Sequence, residues 1–159
     1  MRFGKRIFCL ILCAAMLGIF GIPALAADSG EAYTLKVNDA VLDTSDLPRP
    51  PYSEGDTVMV PLRKTAEALG YEVEWVSQTR EIRVGDSIQT AVLRGGSQTV
   101  NFIGKLRVID LSREVSLDEK AIITQGRTYV SLDFFTCFFN DVSAESGVVS
   151  ISPQMAYLD

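Results

Sequence analysis

The sequence of 159 residues contains no histidine. Histidine is the commonest general base near neutral pH and the commonest protein ligand of copper or zinc, so the most frequent designs of a hydrolytic or metal site are excluded. No Ser-x-x-Lys motif supplies another base for a serine nucleophile. We therefore expect no catalytic residues, no metal ligands and no cofactor.

Long apolar runs are also scarce, and the only one lies at the N-terminus. Arg2, Lys5 and Arg6 precede an apolar stretch over residues 7–22, and Ala24-Leu25-Ala26 places small residues where signal peptidase cleaves. The run is shorter than a comfortable bilayer span of about twenty residues. We predict a removed signal peptide over residues 1–26, with a retained membrane anchor as the alternative, and no membrane span after cleavage.

Cysteine and positive charge are both in short supply after residue 26. Only Cys137 remains, so one mature chain cannot form an internal disulfide and depends on its hydrophobic core. The net charge of the whole chain is −5, and twelve Lys and Arg face twenty Asp and Glu once residues 1–26 are removed. This excess of acidic groups repels phosphate backbones, so a nucleic-acid partner is not expected.

A sequence pattern occurs twice in the remainder of the chain. Residues 60–75 and residues 130–144 each read as a strand, a short helix, a stop and the start of a hairpin. Pro61 and Ser131 are predicted to start the two helices, and Gly70 and Asn140 to end them with positive φ. The predicted buried stripes are Leu62, Ala66 and Leu69 in the first helix and Leu132, Phe135 and Phe139 in the second.

Short β candidates surround these two units. We predict an opening hairpin over residues 33–42, further strands at 89–93, 99–103, 106–109 and 121–124, and loops at 47–55 and 112–119. The predicted fold class is α+β, with two β-α-β-β elements whose short helices pack on small antiparallel sheets joined by hairpins.

The first unit carries a family resemblance in its segments 58–63, 66–70, 73–75 and 79–84, and a second match begins at 126–130. The chain resembles the copper amine oxidase N-terminal-like domain, also called the stalk domain, of secreted bacterial proteins. Where the family usually continues Pro-Leu-Arg, this chain has Ser131-Leu132-Asp133. The resemblance covers residues 33–152 and implies a small, envelope-associated α+β module. It implies no copper or quinone chemistry, which belongs to a separate, larger domain.

The Phe134 and Phe138 pair is the predicted candidate site. These rings widen the apolar surface of the second helix, and they form either a partner-binding patch or part of the core beneath the hairpins. Trp75 could stack on a sugar ring, but it shares a strand face with Val73, so we predict core burial. Cys137, among phenylalanines, is predicted to be an inert packed thiol.

Three acidic patterns in the sequence resemble parts of known functional sites. Glu72 and Glu74 could act as paired carboxylates, although solvent-facing charge explains them more simply. Three aspartates could gather around calcium, yet they match no EF-hand spacing, and Asp28-Ser29-Gly30 lacks the strand that positions an aspartic-protease triplet. The aspartates are Asp39, Asp43 and Asp46.

The sequence thus predicts a signal peptide (1–26), a polar leader (27–32), one domain (33–152) and a C-terminal tail (153–159). We expect a secreted, non-enzymatic binding or scaffolding module of the bacterial cell envelope, either extracellular or associated with the cell wall. Its expected partner is an envelope protein or polysaccharide. The alternatives are a secreted carboxylate-dependent, glycosidase-like hydrolase and an inhibitor or regulator of a co-secreted enzyme.

Overall fold

The computed structural model describes residues 31–154. The predicted signal peptide, the Asp28-Ser29-Gly30 triplet and residues 155–159 lie outside the described residues. Over residues 31–154, neither helix combines the length and the apolar character that a membrane crossing requires.

Residues 31–154 fold into thirteen strands and two short helices, so the architecture is predominantly β with an α+β character. The first half contains β1 (Thr34–Val37), β2 (Ala40–Val41), β3 (Tyr52–Glu54), β4 (Thr57–Pro61), α1 (Leu62–Ala68), β5 (Glu72–Val76), β6 (Glu81–Gly85) and β7 (Gln89–Leu93). The second half contains β8 (Thr99–Gly104), β9 (Arg113–Ser116), β10 (Ile122–Thr124), β11 (Arg127–Ser131), α2 (Asp133–Thr136), β12 (Asn140–Glu145) and β13 (Val148–Pro153).

The strands form three sheets, in the orders β10-β11-β4-β3, β12-β13-β1-β2 and β5-β6-β7-β8-β9. The third is an antiparallel meander, whereas β1 pairs in parallel with β13 and so joins the two ends of the domain. Both repeats form the order strand, helix, strand, strand: β4-α1-β5-β6 and β11-α2-β12-β13. Strands β4 and β11 pair antiparallel with Val60 opposite Val130. Val60 and Val130 occupy equivalent positions in the two repeats, so the repeats contact each other through the same strand of each.

Phe134 and Phe138 lie in the main hydrophobic core, with 0% and 3% of their surface exposed. The Phe138 ring lies 5.0 Å from the Tyr71 ring and 5.4 Å from the Phe102 ring, between centroids. Of the two alternatives for this pair, packing beneath the hairpins describes their position. Their rings therefore offer no exposed surface to a partner in this structure.

The middle of the chain differs from the prediction at two adjacent segments. Residues 106–109, predicted as a strand, form an exposed loop, and Arg113–Ser116, predicted as loop, is strand β9. The Lys105 backbone amide donates to the Ile88 carbonyl, and the Lys105 ammonium group donates to the Asp86 carbonyl. These bonds hold Lys105 beside the β6–β7 connection, so no tight turn follows β8 directly. The return strand therefore starts later, after Ser112 accepts the Gly104 amide hydrogen through Oγ.

The predicted loop over residues 47–55 also contains a strand. Tyr52–Glu54 forms β3 and pairs with β4, with Gly55 at φ +58° in the connecting turn. Pro50 and Pro51 come before β3, which is an edge strand, so their missing amide hydrogens break no ladder.

Helix α2 departs from its predicted start and stop. Leu132, not Ser131, precedes the helix, and the Ser131 hydroxyl bonds the Asp133 carboxylate instead of a helix amide. Phe139, not Asn140, adopts positive φ (59°) and is 45% exposed, so it does not belong to the buried stripe. Asn140 is buried because its side-chain amide donates to the Phe135 carbonyl and to the Tyr71 hydroxyl. Gly70 ends α1 at φ +83°, as predicted.

Candidate functional site

Trp75 is 48% exposed, so the prediction of core burial was wrong. Its strand, β5, is an edge of the five-stranded sheet and pairs only with β6, where Trp75 stands opposite Ile82. Because side chains alternate along a strand, Trp75 shares the face of β5 that carries Val73, opposite Glu72 and Glu74. A half-exposed indole becomes a candidate ligand contact when it lines a concave surface, as Trp75 does.

Trp75 lies at the junction of adjoining depressions, which we name the Trp75 groove. The central depression has Leu62, Val73, Trp75 and Ile82 in its lining, and it shares Arg63 and Arg127 with one end. The other end shares Trp75 and continues past Arg80, Arg94 and Ile123. The central cavity volume is 120 Å³ and those of the two ends are 190 and 470 Å³. Since ligand sites measure about 300–1,000 Å³, a ligand in the centre must extend into an end.

Local structure places each wall of the groove. Helix α1 presents Arg63, whose Nη1 donates to the Val73 carbonyl at 3.1 Å and fixes the helix against β5. The Gln125-Gly126 turn, with φ of 48° and 74°, brings Arg127 across from Trp75. At the far end Gly95 approaches Ile123 closely, and a Cβ there would lie 2.4 Å from the Ile123 Cδ1, so that side chain would have to move.

The lining of the groove is rich in cations. Five cationic side chains face it, against two carboxylates. Three of the cations form ion pairs with carboxylates: Arg63 with Glu67, Lys64 with Asp46, and Arg94 with Glu81. Over residues 31–154 neither Arg80 nor Arg127 forms an ion pair.

The acidic partners at the rim are held in their ionised forms. The neighbouring Thr79 hydroxyl and the Arg94 guanidinium, which donates to Glu81 Oε1 at 2.8 Å, lower the pKa of the Glu81 carboxyl. The hydrogen bond from Lys64 lowers the pKa of Asp46 in the same way. At neutral pH Glu81 and Asp46 therefore balance the charges of Arg94 and Lys64, while Arg80 and Arg127 supply positive charge without an ion pair in residues 31–154.

The sequence model of the Copper amine oxidase N-terminal domain matches residues 36–150, more than half of the chain. This chain belongs to that family. No curated protein and no solved structure matches it.

The copper amine oxidase N-terminal domain is a non-catalytic domain family, and the resemblance inferred from the first repeat is confirmed. The match spans both repeats, including Ser131-Leu132-Asp133, where this chain departs from the usual pattern. The family name carries no information on a ligand for the Trp75 groove.

Among the acidic residues that the sequence singled out and that lie within residues 31–154, only Asp46 lines the Trp75 groove of this copper amine oxidase N-terminal domain. Glu72 and Glu74 are exposed and alternate with Trp75 along β5, so their side chains project from the opposite face of the sheet. Asp43 accepts the Ser45 amide hydrogen, while Asp46 pairs with Lys64. Among residues 31–154 there is no group of three His, Cys, Asp or Glu side chains arranged to hold a metal ion.

Cys137 is half-buried at the end of α2. Burial raises the pKa of its thiol, and the nearby Arg113 guanidinium offsets that only in part. A thiol with raised pKa contains little of the nucleophilic thiolate at neutral pH.

We expect slow alkylation of Cys137 as a result. In a Cys9→Ser/Cys13→Ser variant at pH 8, iodoacetamide should modify the remaining thiol about tenfold more slowly than free cysteine. Mass spectrometry of timed samples measures the rate, and the same protein unfolded in guanidinium chloride is the control, where the difference should vanish. Modification of the folded protein at the rate of free cysteine would contradict the packed position.

Proposed function

We propose that this chain is a non-catalytic binding module of the bacterial cell envelope, and that the Trp75 groove holds a polysaccharide. The half-exposed indole at the centre of the groove carries the proposal. Export is supported by the pattern of residues 1–26, and the absence of catalysis is supported by the family and by a sequence without histidine.

The shape of the groove favours a flat, extended ligand. Val73 and Ile82 form an apolar floor beside Trp75, and the central depression shares lining residues with the depression on each side of it. A sugar ring presents a flat face of C–H groups to an indole while its hydroxyls stay in contact with water and polar side chains. Successive rings of a chain can then occupy the two ends.

Titration of the protein with soluble cell-wall polysaccharide tests this function. Trp75 is the only tryptophan of the chain, so intrinsic fluorescence reports on the groove alone. We expect the emission to shift on binding, and Trp75→Ala to weaken binding at least about tenfold in calorimetry, because a central aromatic anchor contributes well over 1 kcal/mol. Phe139→Ala removes another exposed aromatic outside the groove and should leave the affinity unchanged.

The same samples separate binding from hydrolysis. Reducing-end assays should show no release of sugar during the titration. Bond cleavage that disappears in Glu72→Gln or Glu74→Gln would instead establish the hydrolase alternative, and binding that survives in Trp75→Ala would place the site elsewhere.

A further inference from the structure

We propose that the ligand of the Trp75 groove is an acidic polysaccharide, one whose sugar units carry anionic groups. This inference rests on the proposed function and adds the charge of the ligand. It depends on how cations are distributed around Trp75.

The charge of the groove is opposite to that of the whole protein. The chain has a net charge of −5, yet the groove lining combines five cations with two carboxylates. A concave surface lined with one sign of charge concentrates ligands of the other sign. A neutral glycan would gain hydrogen bonds here but no charge attraction.

The two arginines without an ion pair flank the indole. Arg127 lies with Trp75 in the lining of the central depression, and Arg80 lies with Trp75 in the lining of the far end. Both side chains belong to exposed residues, and neither donates a side-chain hydrogen bond within residues 31–154. A planar guanidinium binds a carboxylate or phosphate through two parallel hydrogen bonds. A sugar stacked on Trp75 therefore has a donor for anionic groups on either side.

One of the three remaining cations, Arg63, is in an exposed ion pair. In the Arg63–Glu67 pair both side chains are at least half exposed, whereas Lys64 and the Glu81 partner of Arg94 are 29% and 16% exposed. An ion pair as exposed as Arg63–Glu67 contributes little to stability, so a ligand anion can replace the carboxylate partner there. The groove can thus bind a repeating series of charges along its length.

Polygalacturonate and its fully methyl-esterified form provide a direct test, because they share one backbone and differ in charge. We expect calorimetry at low salt to show binding of polygalacturonate at least about tenfold tighter than binding of the ester, with weakening as sodium chloride screens the charges. Arg80→Gln/Arg127→Gln should lose about tenfold in affinity or more, whereas Arg107→Gln, an exposed arginine outside the groove, should retain it. Far-UV circular dichroism should be the same for all variants.

Each of the other outcomes contradicts one named part of the proposal. Equal affinity for the two polymers, lost in Trp75→Ala, overturns the acidic ligand and leaves the polysaccharide-binding function standing. Poly-glutamate binding as tightly as polygalacturonate would show that charge alone is recognised, and it would contradict the claim that the ligand is a polysaccharide. Failure to bind either polymer overturns the inference, and failure to bind any cell-wall polysaccharide overturns the proposed function as well.

Discussion

Phe138→Ser is expected to lower the free energy of unfolding by about 3–5 kcal/mol, the usual loss when a buried phenylalanine is truncated. The side chain is 3% exposed and its ring stacks on Tyr71 and contacts Phe102 and Phe134. The substitution leaves a cavity among these rings and adds a hydroxyl to an apolar site. A domain of this size has about 5–15 kcal/mol of stability in total, so much of the protein would be unfolded at moderate temperature.

Phe139→Ser is the matched control, because it makes the same chemical change one residue further on. Phe139 is 45% exposed, and we expect a loss of about 1 kcal/mol or less. Thermal and urea unfolding followed by circular dichroism measure both variants. An unchanged midpoint for Phe138→Ser, with loss of a partner, would assign that ring to a binding surface.

Much of the fold was predictable because most hairpins and the first helix are specified by residues that are close together in the sequence. A hairpin needs only alternating apolar residues and a turn that tolerates positive φ, and the Asn38-Asp39 and Ser146-Gly147 turns have both. The helix after Pro61 has a periodic stripe and a terminal Gly70. Each of these features is specified within about ten residues of sequence.

The second helix shows where local signals fail. Asn140 tolerates positive φ better than phenylalanine does, so sequence favours it as the helix stop. In the structure the buried Asn140 side chain forms hydrogen bonds with the Tyr71 hydroxyl, 69 residues away in sequence. Phe139 adopts the positive φ instead, which is unfavourable for phenylalanine. A tertiary hydrogen bond outweighed the backbone preference.

The candidate site was predicted only in part. The alternation along β5 correctly put Trp75 and Val73 on one face, but whether that face is covered depends on how far the β10–β11 hairpin reaches. Arg63 comes from α1, Arg80 and Arg94 from the segments that follow β5 and β7, and Arg127 from the start of β11. Only the arrangement of the three sheets brings Arg80 and Arg127 to the same indole.

The second large effect is expected at the contact between Arg113 and Gln89. Arg113 donates to the Gln89 Oε1 at 3.0 Å and to the Cys137 carbonyl at 2.8 Å, and its guanidinium lies 4.4 Å from the Phe102 ring centroid. Gln89 is fully buried and donates to the same Cys137 carbonyl at 2.9 Å. These bonds give the Cys137 carbonyl at the end of α2 two donors, and they join that end to strands β7 and β9.

Arg113→Met should lower the free energy of unfolding by about 2 kcal/mol, because it keeps most of the apolar stem and leaves the buried Gln89 oxygen without a donor. Gln89→Leu should lower it by a similar amount. Gln98→Leu is the control, since Gln98 is exposed and its principal bond is to the Leu117 carbonyl, and about 1 kcal/mol or less should be lost there.

The double variant distinguishes a shared network from two separate sites. Once Arg113 is replaced, the Gln89 oxygen is already unpaired, so removing it relieves a penalty that the single variant carries. We therefore expect the two losses to add to more than the loss of the double variant, by about 0.5–3 kcal/mol. Urea unfolding of the four proteins measures this coupling. Losses that add within about 0.5 kcal/mol would mean that the two side chains stabilise the end of α2 independently.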